Sequence, residues 1–218
     1  NPLSIKSYYL LKIIAISDTH GLHQQLNLPK GDMLLHSGDV AKRGSEQEII
    51  AFLNWFSQQD FKYKIFIAGN HDFYFERNSE KEIADLIPAN VIYLNDSGVT
   101  IEGMKIWGSP VQPRFFNWAF NRDRGADIDR HWQLIPENTD ILLTHGPPHG
   151  ILDKTFQGLD VGCEMLLKRI NQIQPKYSIF GHIHEAYGQV TKNNIHFINA
   201  SVVNLRYMVV NPPVEFEI

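Results

Sequence analysis

Short apolar runs recur along the chain, and many close on a polar residue that sits beside glycine. "KIIAIS" from Lys12, "DMLLHS" from Asp32, "YKIFIA" from Tyr63, "NVIYL" from Asn90, "GVTIE" from Gly98 and "MKIWGS" from Met104 read as strands. "DILLTH" from Asp140, "YSIFGH" from Tyr177, "YGQVT" from Tyr187 and "IHFINA" from Ile195 continue the series. Several are almost continuously apolar rather than alternating, the pattern of strands covered on both faces. The first run reaches back to Tyr8, but Lys12 interrupts it. It is too short to span a bilayer and no small-residue cleavage site follows, so it reads as a buried first strand.

Helical periodicity appears between the runs. Ser45 with Glu48 three residues on makes a capping box, and Ile49, Phe52, Leu53 and Phe56 then form one apolar stripe. A second helix is expected from about Asp160 to Asn171, ending before Pro175. The first half alternates strand and helix, whereas the second half holds more consecutive strands. That mixture predicts two packed sheets with helices outside, in one unit over residues 1–218.

Composition changes this picture little. Apolar residues make up 43% and charged residues 20%, and the formal net charge is -4. No basic excess marks a general nucleic-acid binder or a membrane surface. The single cysteine, Cys163, permits no internal disulfide and fits a reducing, cytoplasmic setting. Nothing in the pattern speaks to oligomeric state.

The chemistry collects where the apolar runs end. Asp18 and His20 follow the first, Asp39 the second, and Asn70, His71 and Asp72 the third. His145 closes "ILLTHG", and His182 and His184 close "SIFGHIHE". Alternate residues of an extended chain point the same way, so His182 and His184 are expected to face one site. Carboxylate, amide oxygen and imidazole are ligands for Zn, Mn or Fe. An isolated H-x-H or G-D pair is weak, since Asp and Asn favour turns for local reasons. Five such clusters at strand ends are hard to attribute to turns alone.

These motifs resemble the calcineurin-like metallophosphoesterases: D-x-H at Asp18 and His20, G-D at Asp39, G-N-H-D at Gly69–Asp72, His145 in "THGPP", and "GHIH" at Gly181–His184. The stretches "IWGSPVQPRFFNWAFNRDRG", "LIPENTDILLTHGPPHGILD" and "VGCEMLLKRI" are similar to the metallophosphoesterase-domain (MPPED, fetal-brain) branch. The resemblance implies an α/β fold, a four-layer α-β-β-α sandwich of two mixed sheets, and a phosphodiesterase acting on small phosphodiesters such as cyclic nucleotides. It implies two divalent or trivalent metal ions. Manganese is expected first, and Fe, Zn, Co or Ni suit the same ligands. One ion would take Asp18, His20, Asp39 and His184, the other Asp39, Asn70, His145 and His182, with a shared hydroxide as nucleophile. His71 would serve the leaving oxygen, and Asp72 would orient its ring. Some members of the branch carry Gly in place of the first histidine of this motif; this chain keeps His182.

Two alternatives bear on the same residues. A nucleotide-binding or scaffold protein could keep the fold with low turnover, but the complete ligand set argues against it. A metallo-β-lactamase-type hydrolase needs an H-x-H-x-D-H run that is absent. The segment Ser109–Gly125 is rich in aromatics and arginines, and reads either as a loop packed by its own aromatics or as a nucleotide wall, an aromatic face for a base and an arginine for phosphate, with Arg114 and Phe116 as candidates.

Overall fold

A computed structural model describes residues 10–218. Tyr8 and Tyr9, at the start of the expected first strand, lie outside them. The strands in chain order are β1 (Lys12–Ile16), β2 (Met33–His36), β3 (Tyr63–Phe66), β4 (Ile92–Tyr93), β5 (Ser97–Ile101), β6 (Met104–Ser109), β7 (Gln112–Pro113), β8 (Asn121–Arg122), β9 (Ile141–Thr144), β10 (Tyr177–Phe180), β11 (Gly188–Lys192), β12 (Ile195–Asn199) and β13 (Val214–Glu217). The helices are α1 (Glu46–Ser57), α2 (Phe73–Arg77), α3 (Glu80–Leu86), α4 (Ala126–Trp132) and α5 (Glu164–Ile173).

Two mixed sheets form the centre, as the pattern predicts. One runs β13-β1-β2-β3-β4, parallel except for β13, which pairs antiparallel with β1. The other runs β11-β12-β10-β9-β6-β5, with a parallel centre and an antiparallel strand at each edge. Period-two alternation splits each strand between two cores. Ile14, Ile16 and Leu34 meet Phe52 and Phe56 of α1. Ile13, Ala15, Met33 and Leu35 instead meet Ile141, Leu143 and Ile179 of the second sheet. Leu142, Phe180 and Phe197 turn outward onto Trp132, Leu166 and Ile170 of α4 and α5. Helix, sheet, sheet and helix thus stack as four layers.

The parallel strands β1, β2, β3, β9 and β10 each run into a polar loop at their C-terminal ends, the position where open α/β sheets place ligands. One expected element moves. Helix α5 starts at Glu164, not near Asp160, because residues 154–160 close a small hairpin through the Lys154–Asp160 ion pair and the Thr155 N–H bond to the Leu159 carbonyl.

Candidate metal centre

Each site residue follows a buried strand, and the backbone bends sharply to deliver it. Asp18, His20, Asp39 and His182 all adopt positive φ (56°, 44°, 56° and 68°). Such conformations are unfavourable for residues with a side chain and persist only where surrounding bonds impose them. Here the bonds are visible. The Asp18 N–H donates to the Gly38 carbonyl, the His20 N–H to the Asp39 carbonyl, and the His182 N–H to the Asp18 carboxylate. Gly181 is required for contact rather than flexibility: a Cβ there would overlap the Asp18 carboxylate and Ser17.

Strand alternation does not bring His182 and His184 together. β10 ends at Phe180, His182 turns left-handed, and His184 opens a 3-10 turn over His184–Ala186. Asn199 fastens this turn, donating from Nδ2 to the Ile183 carbonyl at 2.9 Å.

The side chains converge as two adjoining groups. Asp18, His20 and His184 bring one ligand atom each within 4.8 Å of one another, and so do Asp39, His145 and His182. His20, Asp39 and His71 form a third such group between them. Asn70 joins the second through its Oδ1, 2.9 Å from His145 Nε2. Asp18, His20, Asp39, Asn70, His145 and His184 are buried, and His182 is half-buried.

The proton inventory tests whether these residues fit a metal. His145 Nδ1 lies 2.9 Å from the Ser37 carbonyl, so it carries the proton. Neutral His145 then aims a bare Nε2 at two further acceptors, Asn70 Oδ1 and, at 3.4 Å, Asp39 Oδ2. His184 spends its other nitrogen on the Asn204 backbone, and its Nε2 faces His20 Nε2 at 3.2 Å and Asp18 Oδ1 at 3.4 Å. Lone pairs aimed at one another in a buried site call for a cation between them, either a proton or a metal. The donor set therefore fits a metal pair.

The charges agree with that reading. Burial would raise the Asp18 carboxyl, but His184 and His145 outweigh it and hold it well below the usual carboxylate range. Asp39 is lowered against its burial by His145 and His20. Burial pulls His20 down to about 4, leaving a neutral imidazole. His145 goes the other way: Asp39 and Asp18 overcome burial and lift it to about 9. Asp39 can face both groups because its Oδ1 is fixed by the His71 N–H at 2.8 Å, which leaves Oδ2 3.7 Å from His20 and 3.4 Å from His145.

His71 is held at Nδ1 by the Lys42 carbonyl, 2.7 Å away, and its ring stacks on Trp118 with centroids 4.2 Å apart. Asp72 does not orient it. The Asp72 carboxylate accepts from the N–H groups of Val40, Ala41 and Gly69, tying the second loop to the third. Its work is to shape the backbone that carries Asp39 and Asn70. His36 is likewise structural: it accepts the Gly38 N–H at Nδ1 and so donates from Nε2 to Thr19, between Asp18 and His20. Among the described residues, none of the other histidines joins a metal group.

Two further aromatic residues border the site, Trp118 from the aromatic-rich Ser109–Gly125 segment and Tyr207 from a stretch with no sequence signal. Trp118 arrives because the Ala119 N–H donates to the Asn70 carbonyl. Tyr207, at φ 55°, sets its ring 4.8 Å from that of His20 and 5.5 Å from that of His184. In the Ser109–Gly125 segment, Arg114 is paired with Asp123 and Phe116 points into solvent, 76% exposed. Phe115 is the residue that faces His182, 6.3 Å between rings. A cavity of about 450 Å³ opens there, lined by Phe115, Phe156, Pro147 and His182. A further concavity of about 540 Å³, around Ile83, Ile87 and Tyr93, contains none of the site residues.

A family model described as Calcineurin-like phosphoesterase matches residues 11–186. The chain is 38% identical over 233 residues to Metallophosphoesterase domain-containing protein 1 of Homo sapiens, which covers 95% of this chain and 71% of that one. It is 24% identical over 169 residues to the probable glycerophosphodiester phosphodiesterase GpdQ of Arcobacter nitrofigilis, across 75% of this chain and 60% of that one. Among solved structures, phosphopantetheinyl hydrolase PptH of Mycobacterium tuberculosis superposes with a TM-score of 0.60 at 16% identity over 90% of each chain, a likeness of fold.

Proposed function

The chain belongs to the calcineurin-like phosphoesterase family, and on that premise we propose that it is a metal-dependent phosphodiesterase of small phosphodiesters, cyclic nucleotides among them. The observation that carries this is the pair of lone-pair clusters that adjoin through Asp39. Asp18, His20, Asp39 and His184 would hold one metal, and Asp39, Asn70, His145 and His182 the other. When bound, such a pair supplies an acidified water as nucleophile and positive charge for the phosphoryl oxygens.

The chain's own residues supply the rest. His71 has its Nδ1 proton fixed on Lys42, so its Nε2 is the free nitrogen. It would move a proton to or from the departing oxygen. Trp118 keeps the ring plane, and the Tyr207 ring stands edge-on to it, 6.3 Å between centroids. Preference for a diester is supported by room beside His182 for a second ester group, and by the glycerophosphodiester named in one relative. Manganese as the working ion and a cytoplasmic setting belong to the same proposal.

The test is hydrolysis by metal-loaded protein of bis(p-nitrophenyl) phosphate, a cyclic nucleotide and p-nitrophenyl phosphate. The expected result is Mn²⁺-dependent turnover with kcat/KM about tenfold or more higher for a diester than for the monoester. Equal or better turnover of the monoester would overturn the diester assignment.

A further inference from the structure

The geometry points to the cavity beside His182 as a subsite for one uncharged, flat aromatic ester group of the substrate, with selection against a second anionic group. This rests on the phosphoester reading of the metal centre. Four observations support it. First, the cavity is continuous with the site, because His182 lines it while its ring belongs to the Asp39 group. A phosphoryl group at the metals would direct an ester substituent past His182.

Second, the walls present bare ring and aliphatic surface. Phe156 is 74% exposed, Leu159 57% and Phe115 50%. Apolar area this large is costly in water and is recovered when a ligand covers it.

Third, the backbone that carries Phe156 is held in place. Its N–H donates to Glu185 Oε1 at 2.8 Å, and Glu185 directly follows His184. Its hairpin is closed by the Lys154–Asp160 ion pair and by the Thr155 hydroxyl, which accepts the Leu159 N–H. At its base the Asp153 carboxylate accepts from Gly150 and Gly162. A ring presented on a pinned loop binds with little ordering cost.

Fourth, the charge facing the cavity is already spent. Arg114 is paired with Asp123, and Arg124 with Glu164 and the carbonyls of Val161 and Gly162. Glu185, which also lines the cavity, has no cationic partner among the described residues. An anionic substituent would meet no free cation and one free carboxylate edge. Hydrolysis itself is unchanged: a P–O ester bond breaks, the water oxygen goes to phosphorus, and its proton ends on the departing oxygen.

The experiment is calorimetric binding of methylphosphonate, phenylphosphonate and 4-carboxyphenylphosphonate to the Mn²⁺-loaded full chain and to Phe156→Ala, alongside turnover of bis(p-nitrophenyl) phosphate. Phenylphosphonate is expected to bind about tenfold tighter than methylphosphonate, the scale of one aromatic contact with its buried area. The carboxyl derivative should lose most of that gain. Phe156→Ala, which removes an exposed ring and no core contact, should bring phenyl and methyl affinities to within about twofold. Equal affinities in the unmodified protein, tighter binding of the carboxyl derivative, or no phosphonate binding at all would overturn the subsite. Phenyl preference without any turnover would keep the subsite and overturn the phosphodiesterase reading instead.

Discussion

His71 and His182 lie in one cleft and are both imidazoles, yet their surroundings separate their roles. His71 is fixed by the Lys42 carbonyl and by the face of Trp118, while His182 is fixed by its own backbone bond to Asp18. The paired variants His71→Gln and His182→Gly should therefore fail differently. His71→Gln is expected to keep two metals per chain and lose about a hundredfold in kcat, the scale of a proton-transfer group. His182→Gly should lose metal from the Asp39 group, with turnover falling in parallel. Metal analysis and single-substrate kinetics on the same preparations decide between them. Metal loss from His71→Gln would make His71 a ligand through its group with His20 and Asp39. The ligand types were legible in the sequence because each follows an apolar run, often beside a glycine. Tyr207 and Asn199 were not, because their approach depends on tertiary paths with no local pattern, and the aromatic-rich Ser109–Gly125 segment did not by itself single out Trp118. Asn199 looks like a glycosylation sequon in sequence, but its buried amide holds the Ile183 carbonyl.

The capping box of α1 reaches further into the site than a cap usually does. Glu48 closes the box with Ser45, and its carboxylate also accepts the N–H groups of Lys42 and Arg43. The Lys42 carbonyl in turn holds His71. Glu48→Ala is expected to cost about 1 kcal/mol of stability, the ordinary value of a lost cap. Beyond that, it should lower kcat more than it changes KM, because the His71 ring loses its tether. Unfolding midpoints and kinetic constants measured together separate the two effects. A stability loss with unchanged kcat would show the tether to be dispensable. This cap and its apolar stripe were readable because Ser45, Glu48 and the 3.6-residue spacing agree. The buried central strands were readable for a similar reason, since their apolar runs are nearly continuous. The shorter helices were not: α2 has five residues and α4 seven, too few for a period to emerge. α3 carried its own Ser79–Glu82 box, a signal present in the sequence. β13 was unread because Val214–Glu217 alternates with glutamate, as an edge strand does.

At the scale of the molecule, the two sheets meet at a rim where Asp18 and Asp39 are buried, with Asn70 and four imidazoles, His20, His145, His182 and His184, around them. The layers are joined there by more than packing. His182, after β10 of the second sheet, donates its N–H to the carboxylate of Asp18 after β1 of the first, and His145, after β9, donates from Nδ1 to the Ser37 carbonyl after β2. A metal pair bound at this rim would bind the folded chain and not the unfolded one, so it would add to stability by mass action. At a free metal concentration of about a hundred times Kd, one site contributes about 2.7 kcal/mol. For a chain of this length that corresponds to about 5–10 °C in Tm. Exhaustive chelation is therefore expected to abolish hydrolysis of an activated phosphodiester and to lower Tm by at least that amount. Added Mn²⁺ should restore both. His182→Gly should show a smaller restoration of Tm, because one site is impaired while the other keeps Asp18, His20, Asp39 and His184. Scanning calorimetry before and after chelation, with metal content measured on each sample, gives the result. An unchanged Tm in a sample verified to be metal-free, with hydrolysis intact, would mean that the convergent lone pairs are satisfied by protons alone, and the metal assignment of this rim would fall.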